Sequence, residues 1–351
     1  MLDFLVSIHR RKKMRSYHSR LVFAILAILL SFSAAVAALH SMSANYSSDA
    51  SHKMFDDFNK AFIKHWKTRT GVEVTIRHAE SKPGIPLRAN IDGLDVTSIA
   101  LSYDPEILQK TNRFSLPDWQ KPLPRKSPYT STIVFLVRNG NPKKVRDWND
   151  LANPGIEIVT SNPKTSGDAR WSYLAAWGYA LKQSRGSDVT AIEFIKKIFG
   201  NVKTLENGTR SSVITFVERG RGDVLLIWEN EAHLIVKEHG GDKFEIITPS
   251  FSILAEPTVN IVSDAASQNG TREVAKAYVD YLYTLKAQEI AARHYYRPRD
   301  ERIAARYSRQ FPSLELFTVD EMFGGWKEAR NIHFADGGIF DRIQTHSSAF
   351  H

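Results

Sequence analysis

Ile156-Glu157-Ile158-Val159, followed by Asn162-Pro163-Lys164-Thr165-Ser166-Gly167-Asp168-Ala169-Arg170-Trp171, is the stretch on which the reading of this chain turns. The first run is apolar and strand-like. Pro163 and the polar residues around it break the strand, and Thr165 and Ser166 are good helix N-caps. A helical pattern then opens at Trp171, Leu174, Ala175, Gly178 and Leu181. Gly167 removes the Cβ that would hold a ligand away from the backbone. A helix start carries unpaired N–H groups and the positive end of the helix dipole, so this turn is suited to a small anion.

The same strand-turn-helix grammar recurs on both sides. Phe55, Phe58, Phe62 and Trp66 lie at helical spacing up to Gly71, and Val72-Glu73-Val74-Thr75-Ile76 then alternates as a strand. Val96-Thr97-Ser98-Ile99-Ala100-Leu101 and Ser131-Thr132-Ile133-Val134-Phe135-Leu136-Val137 read as further strands. Ala191, Ile192, Ile195, Ile198 and Phe199 mark an amphipathic helix, and Val224-Leu225-Leu226-Ile227-Trp228 is apolar throughout, as expected of a central parallel strand. Val274, Tyr278, Tyr281, Leu282 and Leu285 mark another helix, and the last stretch of the chain reads as mostly helical. Such alternation predicts α/β architecture, and 351 residues suit two domains better than one. Pro128-Tyr129-Thr130-Ser131 and Ala255-Glu256-Pro257-Thr258 are the candidate crossings between them.

The formal charge of +9 suggests a polyanion partner at first sight. Residues 1–37, however, hold Arg10, Arg11, Lys12, Lys13, Arg15 and Arg20 against Asp3, so +5 belongs to them and +4 to the rest. That remainder does not predict nucleic-acid binding. The basic stretch runs into an apolar core, Leu21 to Leu30, and an Ala35-Val36-Ala37 site, the pattern of a cleavable secretory signal. An uncleaved anchor is the alternative, and Met14 is a second possible start. The chain has no cysteine, so neither disulfides nor thiol chemistry enter.

Four turns carry candidate ligand groups. Besides Ser166-Gly167-Asp168 there is Asn207-Gly208-Thr209-Arg210, again between a strand and a helix, and Trp228, at the carboxyl end of its strand. The fourth is His78-Ala79-Glu80-Ser81-Lys82. Each taken singly reads more simply as a cap or a core residue. Glu229, Glu231 and His233 read as a solvated helix face, and neither a metal motif nor a nucleophile–base pattern is evident in the sequence.

As a set, these turns and the long runs between them strongly resemble the periplasmic sulfate-binding protein family. The runs are Pro128 to Arg138, Ala169 to Tyr179, Thr215-Phe216-Val217-Glu218-Arg219-Gly220, Trp228-Glu229-Asn230-Glu231-Ala232, Tyr296-Arg297-Pro298-Arg299-Asp300 and Phe323-Gly324-Gly325-Trp326. The resemblance implies a two-lobed periplasmic-binding-protein fold, type II-like, each lobe a sheet flanked by helices and the two joined by crossing strands. It places residues 38–130 plus 257–351 in lobe I and residues 131–256 in lobe II. It implies a non-enzymatic, monomeric periplasmic receptor, without cofactor or metal, that binds sulfate or thiosulfate and delivers it to the permeases of an ABC importer. Carried over position by position, Ser166 donates its hydroxyl, and Gly167, Asp168, Thr209 and Ser81 donate backbone N–H groups. Trp228 donates its indole N–H, and Asp49 organises the site. Arg170 and Arg210 are expected to pair with carboxylates rather than with the anion.

The chain departs from the family in the ligand loops. Ala79-Glu80-Ser81-Lys82-Pro83 replaces a glycine-rich loop, and Asp168 stands where the family has a second glycine. The expectation is that Glu80 and Asp168 point outward, neutralised by Lys82, Arg170 or Arg210. A carboxylate turned inward would instead favour a protonated oxyanion such as phosphate. A phosphoryl- or sulfuryl-transfer enzyme on the same scaffold is the alternative from another class.

Overall fold

The structure, a computed structural model, describes residues 41–45, 49–79, 95–99, 127–261 and 270–347. Residues 1–37, expected to be a signal segment, and residues Glu80, Ser81, Lys82 and Pro83 lie outside the described residues.

Two sheets organise the molecule. The first is four-stranded, in the order β11-β3-β1-β2, with β1 Ser41–Asn45, β2 Thr75–Ala79, β3 Val96–Ile99 and β11 Thr258–Ile261. β1 runs parallel to β2 and β3, while β11 is antiparallel to β3. The second is five-stranded, in the order β7-β6-β8-β5-β9, with β5 Ile133–Arg138, β6 Ile158–Ser161, β7 Val202–Glu206, β8 Val224–Trp228 and β9 Phe244–Ile247. β6 is parallel to β7 and β8, and β5 is antiparallel to β8. The two sheets thus share a core plan, a parallel set in the order second, first, third followed by an antiparallel strand arriving from the crossing, and in the second sheet β9 adds an outer edge antiparallel to β5. β5 and β8 are buried almost throughout, which their unbroken apolar sequences anticipate.

The crossings meet. Ser131 and Ala255 form an antiparallel bridge, with N–H to carbonyl distances of 2.9 Å in both directions. Beside them β4 Tyr129–Thr130 pairs with β12 Arg297–Pro298. The first sheet packs on α1 Asp49–Thr70, α7 Arg272–Tyr281 and α8 Leu285–Arg293, around Phe55, Phe58, Phe62, Val259, Tyr278 and Ile290. Phe62 meets the Tyr278 ring edge-on at 5.0 Å. The second sheet packs on α3 Gly167–Gln183 and α4 Asp188–Gly200; α2 Trp148–Leu151 lies in the same core.

The C-terminal residues do not follow the expected division. Phe317, Val319, Trp326, Phe334, Phe340 and Ile343 join the core of α3 and α4, not that of the first sheet. They come from β13 Glu315–Phe317, α10 Val319–Phe323, α11 Trp326–Ala329, a π-turn over Arg330–Phe334 and α12 Ile339–Ser347. β13 pairs with β10 Phe251–Ile253. The reason is visible on α3, which is apolar on nearly every side and needs a second cover besides the sheet. Tyr173 packs edge-on to Phe334 and Phe340 at 5.2 and 5.6 Å, and Trp171 to Trp326 at 4.5 Å. Gly178 permits this approach, since a Cβ there would fall 2.2 Å from the Phe317 ring. The sequence reading also missed β1 and placed β2 at Val72–Ile76, three residues early. Ser41-Met42-Ser43-Ala44-Asn45 has no β-branched residue to mark it as a strand.

Candidate functional site

In the second sheet the chain leaves β6 toward β7 on one side and returns through β8 on the other. The crevice at the carboxyl ends of β6 and β8 is therefore the topological switch point, where open α/β sheets take their ligands. Ser166 follows β6 and Trp228 ends β8, so both reach this crevice.

The turn before α3 is held on three sides. The Asn162 carbonyl accepts from the N–H groups of Thr165 and Ser166 at 3.0 and 2.9 Å, and the Asn162 N–H donates to the Glu206 carbonyl at 2.8 Å. Thr165 Oγ1 donates to the Asn207 carbonyl at 3.2 Å, tying this turn to the one after β7. Lys164 reaches the C-terminal strap, to Asp341 at 3.0 Å and the Phe334 carbonyl at 3.2 Å. Ser166 has extended backbone and caps α3, its Oγ accepting from Ala169 N–H at 3.3 Å. A capping hydroxyl acts as acceptor, so its own hydrogen remains to be donated. Gly167 and Asp168 are the first helical residues, whose N–H groups have no carbonyl partner within the helix.

Trp228 is buried, with its ring edge-on to Trp171 at 6.0 Å. Its Nε1 points toward the Asp168 carbonyl at 3.5 Å, a long bond that a charged acceptor outside would displace. Thr209 opens the short helix α5 Thr209–Val213, behind the extended Gly208. The structure thus brings Ser166, Gly167, Asp168, Thr209 and Trp228 to one place. Asp49 is the first residue of α1. Ser81 lies outside the described residues.

Asp168 overturns the outward expectation. Thr209 Oγ1 donates to its Oδ2 at 2.9 Å, so the carboxyl bridges the start of α3 to the start of α5. Burial pushes this carboxyl above its ordinary pKa, and the Thr209 hydrogen bond opposes the rise. Beneath it lies a small cavity lined by Ser161, Ser172 and Ser212, in which the Ser161 and Ser212 hydroxyls are 2.8 Å apart. Arg170 does not neutralise Asp168: its Nε donates to the Pro163 carbonyl at 2.9 Å and its guanidinium lies over Phe334. Arg210 is exposed.

Glu229 is a second correction. It begins α6 Glu229–His239 and is buried rather than solvated, with a side chain 1% exposed. Arg297 grips it in a fork, Nε at 2.6 Å and Nη2 at 2.8 Å. Burial alone raises the Glu229 pKa, and Arg297 opposes this by hydrogen bonding and charge. Next to it, Asn230 Oδ1 accepts from the buried Ser131 hydroxyl at 2.7 Å, and the Glu229 N–H donates to the Thr132 carbonyl at 2.8 Å. The strand end carrying Trp228 is therefore anchored directly to the crossing. Sequence reasoning missed this anchor, because an acidic residue in the first turn of a helix is ordinary there without any cation. His233 also lies off the solvated face, stacked on Tyr295 at 5.0 Å. Among the described residues no group of three or more His, Cys, Asp or Glu side chains is placed to hold a metal ion. No helix among them is long and apolar enough to cross a membrane.

Comparison with known proteins follows the same line as this geometry. Residues 45–297 match the family described as bacterial extracellular solute-binding protein. A sulfate-binding protein of Escherichia coli (strain K12) is 52% identical over 302 residues, covering 85% of this chain and 92% of that protein. A thiosulfate-binding protein of Pseudomonas aeruginosa is 41% identical, covering 85% of this chain and 91% of its own. The solved sulfate-binding protein SubI from Mycobacterium tuberculosis H37Rv superposes with a TM-score of 0.68 at 27% identity, covering 83% of this chain and 98% of that one. The chain belongs to the bacterial extracellular solute-binding proteins and, within them, to the sulfate-binding protein family that its sequence resembles.

Proposed function

We propose that this protein is an exported receptor that closes two lobes on one sulfate ion and delivers it to the permeases of an ABC importer. The observation that carries this reading is the meeting of Ser166, Gly167 and Trp228 at the switch point of the second sheet. All three offer neutral donors. A dianion without a proton needs donors only, and the start of α3 adds the positive end of a 17-residue helix. Thr209 and Asp168 contribute N–H groups from the same wall; by the family resemblance Ser81 adds another, and Asp49 organises the site. Arg170 and Arg210 act from outside the contact shell.

In this reading the lobes follow the two sheets. Lobe I takes residues 38–130 and the chain from 257 through α8, and lobe II takes 131–256 together with the C-terminal strap. The bridge at Ser131 and Ala255 is the axis on which they turn, and hinge closure makes recognition by the importer depend on ligand. The signal-like residues 1–37 direct the protein to the periplasm, where it works as a monomer without catalysis.

Calorimetric titration with sulfate, thiosulfate, phosphate and molybdate tests this. The reading expects one sulfate per chain, bound more tightly than phosphate at mildly acidic pH. Hydrolysis of a sulfate or phosphate ester, or saturable binding of none of the four anions, refutes it. One observation favours a second reading: the inward carboxyl of Asp168 offers an acceptor to an oxyanion that carries a proton.

A further inference from the structure

The Asp168–Thr209 contact is not required by either helix. Ser166 already caps α3, and Gly208 starts α5 without any side-chain cap. What the contact does is hold a carboxyl between the first residues of the two helices whose N–H groups face the crevice. The position is otherwise poor in charge. The charged groups at the near ends of the elements packed around it are Arg170 on α3, Glu206 at the end of β7, Arg210 on α5, and Glu229 and Glu231 in the first turn of α6. Arg170 is held by the Pro163 carbonyl, Glu206 accepts from Thr215, and Glu229 is forked by Arg297. Lys164, in the turn before α3, is held by Asp336 and Asp341. Arg210 is exposed. Among the described residues the Asp168 carboxyl has Thr209 as its hydrogen-bond partner, and the cavity lining holds no other titratable group.

Two forms of this carboxyl treat oxyanions differently. Ionised, it repels a dianion in a site closed to water, where an unpaired charge is costly. Ionised, it also accepts a hydrogen bond from an oxyanion that carries a proton. Protonated, it is neutral and donates to a dianion. Resting on the reading of the protein as an oxyanion receptor, we propose that Asp168 and Thr209 form a proton-linked selectivity element. A fully deprotonated oxyanion such as sulfate binds together with one proton on Asp168, whereas a protonated oxyanion such as hydrogen phosphate binds to the ionised form. Burial of the Asp168 carboxyl, which favours its neutral form, works in the same direction.

The sign follows from linkage. A ligand that binds the protonated form raises the folded pKa of that group further. Sulfate affinity is therefore full below the pKa of the free protein and falls about tenfold per pH unit above it. Thr209 donates to the ionised form, so removing its hydroxyl raises the pKa and moves the fall to higher pH.

The test is calorimetry with sulfate and with phosphate from pH 5 to 9, in buffers of different ionisation enthalpy. The whole chain, Asp168→Gly and Thr209→Ala are compared. For the wild type the expected result is a sulfate affinity that falls with pH and is coupled to uptake of up to one proton, with a phosphate-to-sulfate ratio that rises with pH above the range in which phosphate itself titrates. Asp168→Gly is expected to bind sulfate without proton uptake and with a flat profile, and Thr209→Ala to shift the fall upward. Sulfate binding by the wild type that is flat across this range, or a fall with pH that persists in Asp168→Gly, overturns the element while leaving the receptor reading standing. Absence of sulfate and phosphate binding in both wild type and Asp168→Gly overturns the receptor reading, and the element with it.

Discussion

Replacing Arg297 by Met removes both donors from a carboxylate that is 1% exposed, and the structure fixes what that costs. Glu229 receives Nε at 2.6 Å and Nη2 at 2.8 Å, a fork that compensates its desolvation. Breaking a buried pair by removing one partner costs about 3–5 kcal/mol, because the other charge stays buried without compensation. The Arg297 guanidinium also lies over the Phe311 ring, 5.5 Å from its centre, so a cation–π contact is lost with it. Glu229→Gln with Arg297→Met removes both charges at once, so the double variant is expected to lose less than the two single losses summed, by about 2 kcal/mol. The pH dependence is signed as well. The folded pKa of Glu229 is already raised by burial and rises further without Arg297, so the deficit is largest at neutral pH and shrinks as pH falls through that pKa. Urea unfolding of the three variants at pH 7 and pH 5 measures all of this. A loss below about 1 kcal/mol for Arg297→Met, or strict additivity in the cycle, refutes the reasoning. Because Glu229 follows Trp228 and Arg297 pairs with Thr130 beside the crossing, the same variant is expected to weaken anion binding too.

Trp228→Phe keeps the ring but loses the donor, and is expected to weaken sulfate binding by about 1–3 kcal/mol; unchanged affinity in a titration removes Trp228 from the site. Gly178→Ala places a Cβ against the Phe317 ring, which is itself stacked on Phe251 at 5.0 Å and cannot swing away. Denaturant unfolding should register a loss of about 1–3 kcal/mol, and a neutral result means the strap is not packed on α3. His333, buried beside Tyr173 and Trp177, has its pKa lowered to about 4 by burial. The unfolded chain binds its proton near pH 6.5 and the folded one only near 4, so stability falls as pH drops between those values, by about 2 kcal/mol from pH 7 to pH 5. His333→Gln should abolish that part of the slope.

Much of this architecture was legible because local chemistry carried it. The strand Val224–Trp228 and the crossing strand Ile133–Arg138 are unbroken apolar runs, and Pro163, Ser166 and Gly167 punctuate a strand-to-helix turn in an unmistakable order. The two crossings were legible as extended, proline-bearing segments, and they do pair at Ser131 and Ala255. What was not legible depends on partners far away in the chain. Phe334 and Phe340 read as apolar residues of a mostly helical C-terminal stretch whichever lobe they cover, and only the largely apolar girdle of α3 assigns them to the second. Glu229 looks like any polar helix residue until Arg297, 68 positions on, is brought beside it. The direction of Asp168 turned on Thr209, a residue read from sequence only for its backbone. Side-chain direction at a helix start has no periodicity to reveal it.

The most direct test of the central claim is a crystal structure of the cleaved protein with sulfate. The account predicts one tetrahedral anion at the carboxyl ends of β6 and β8, with Ser166 Oγ, the Gly167 N–H and Trp228 Nε1 all within hydrogen-bond distance. An anion seated elsewhere, or a closed crevice in which Trp228 stays on the Asp168 carbonyl and no anion enters, contradicts it.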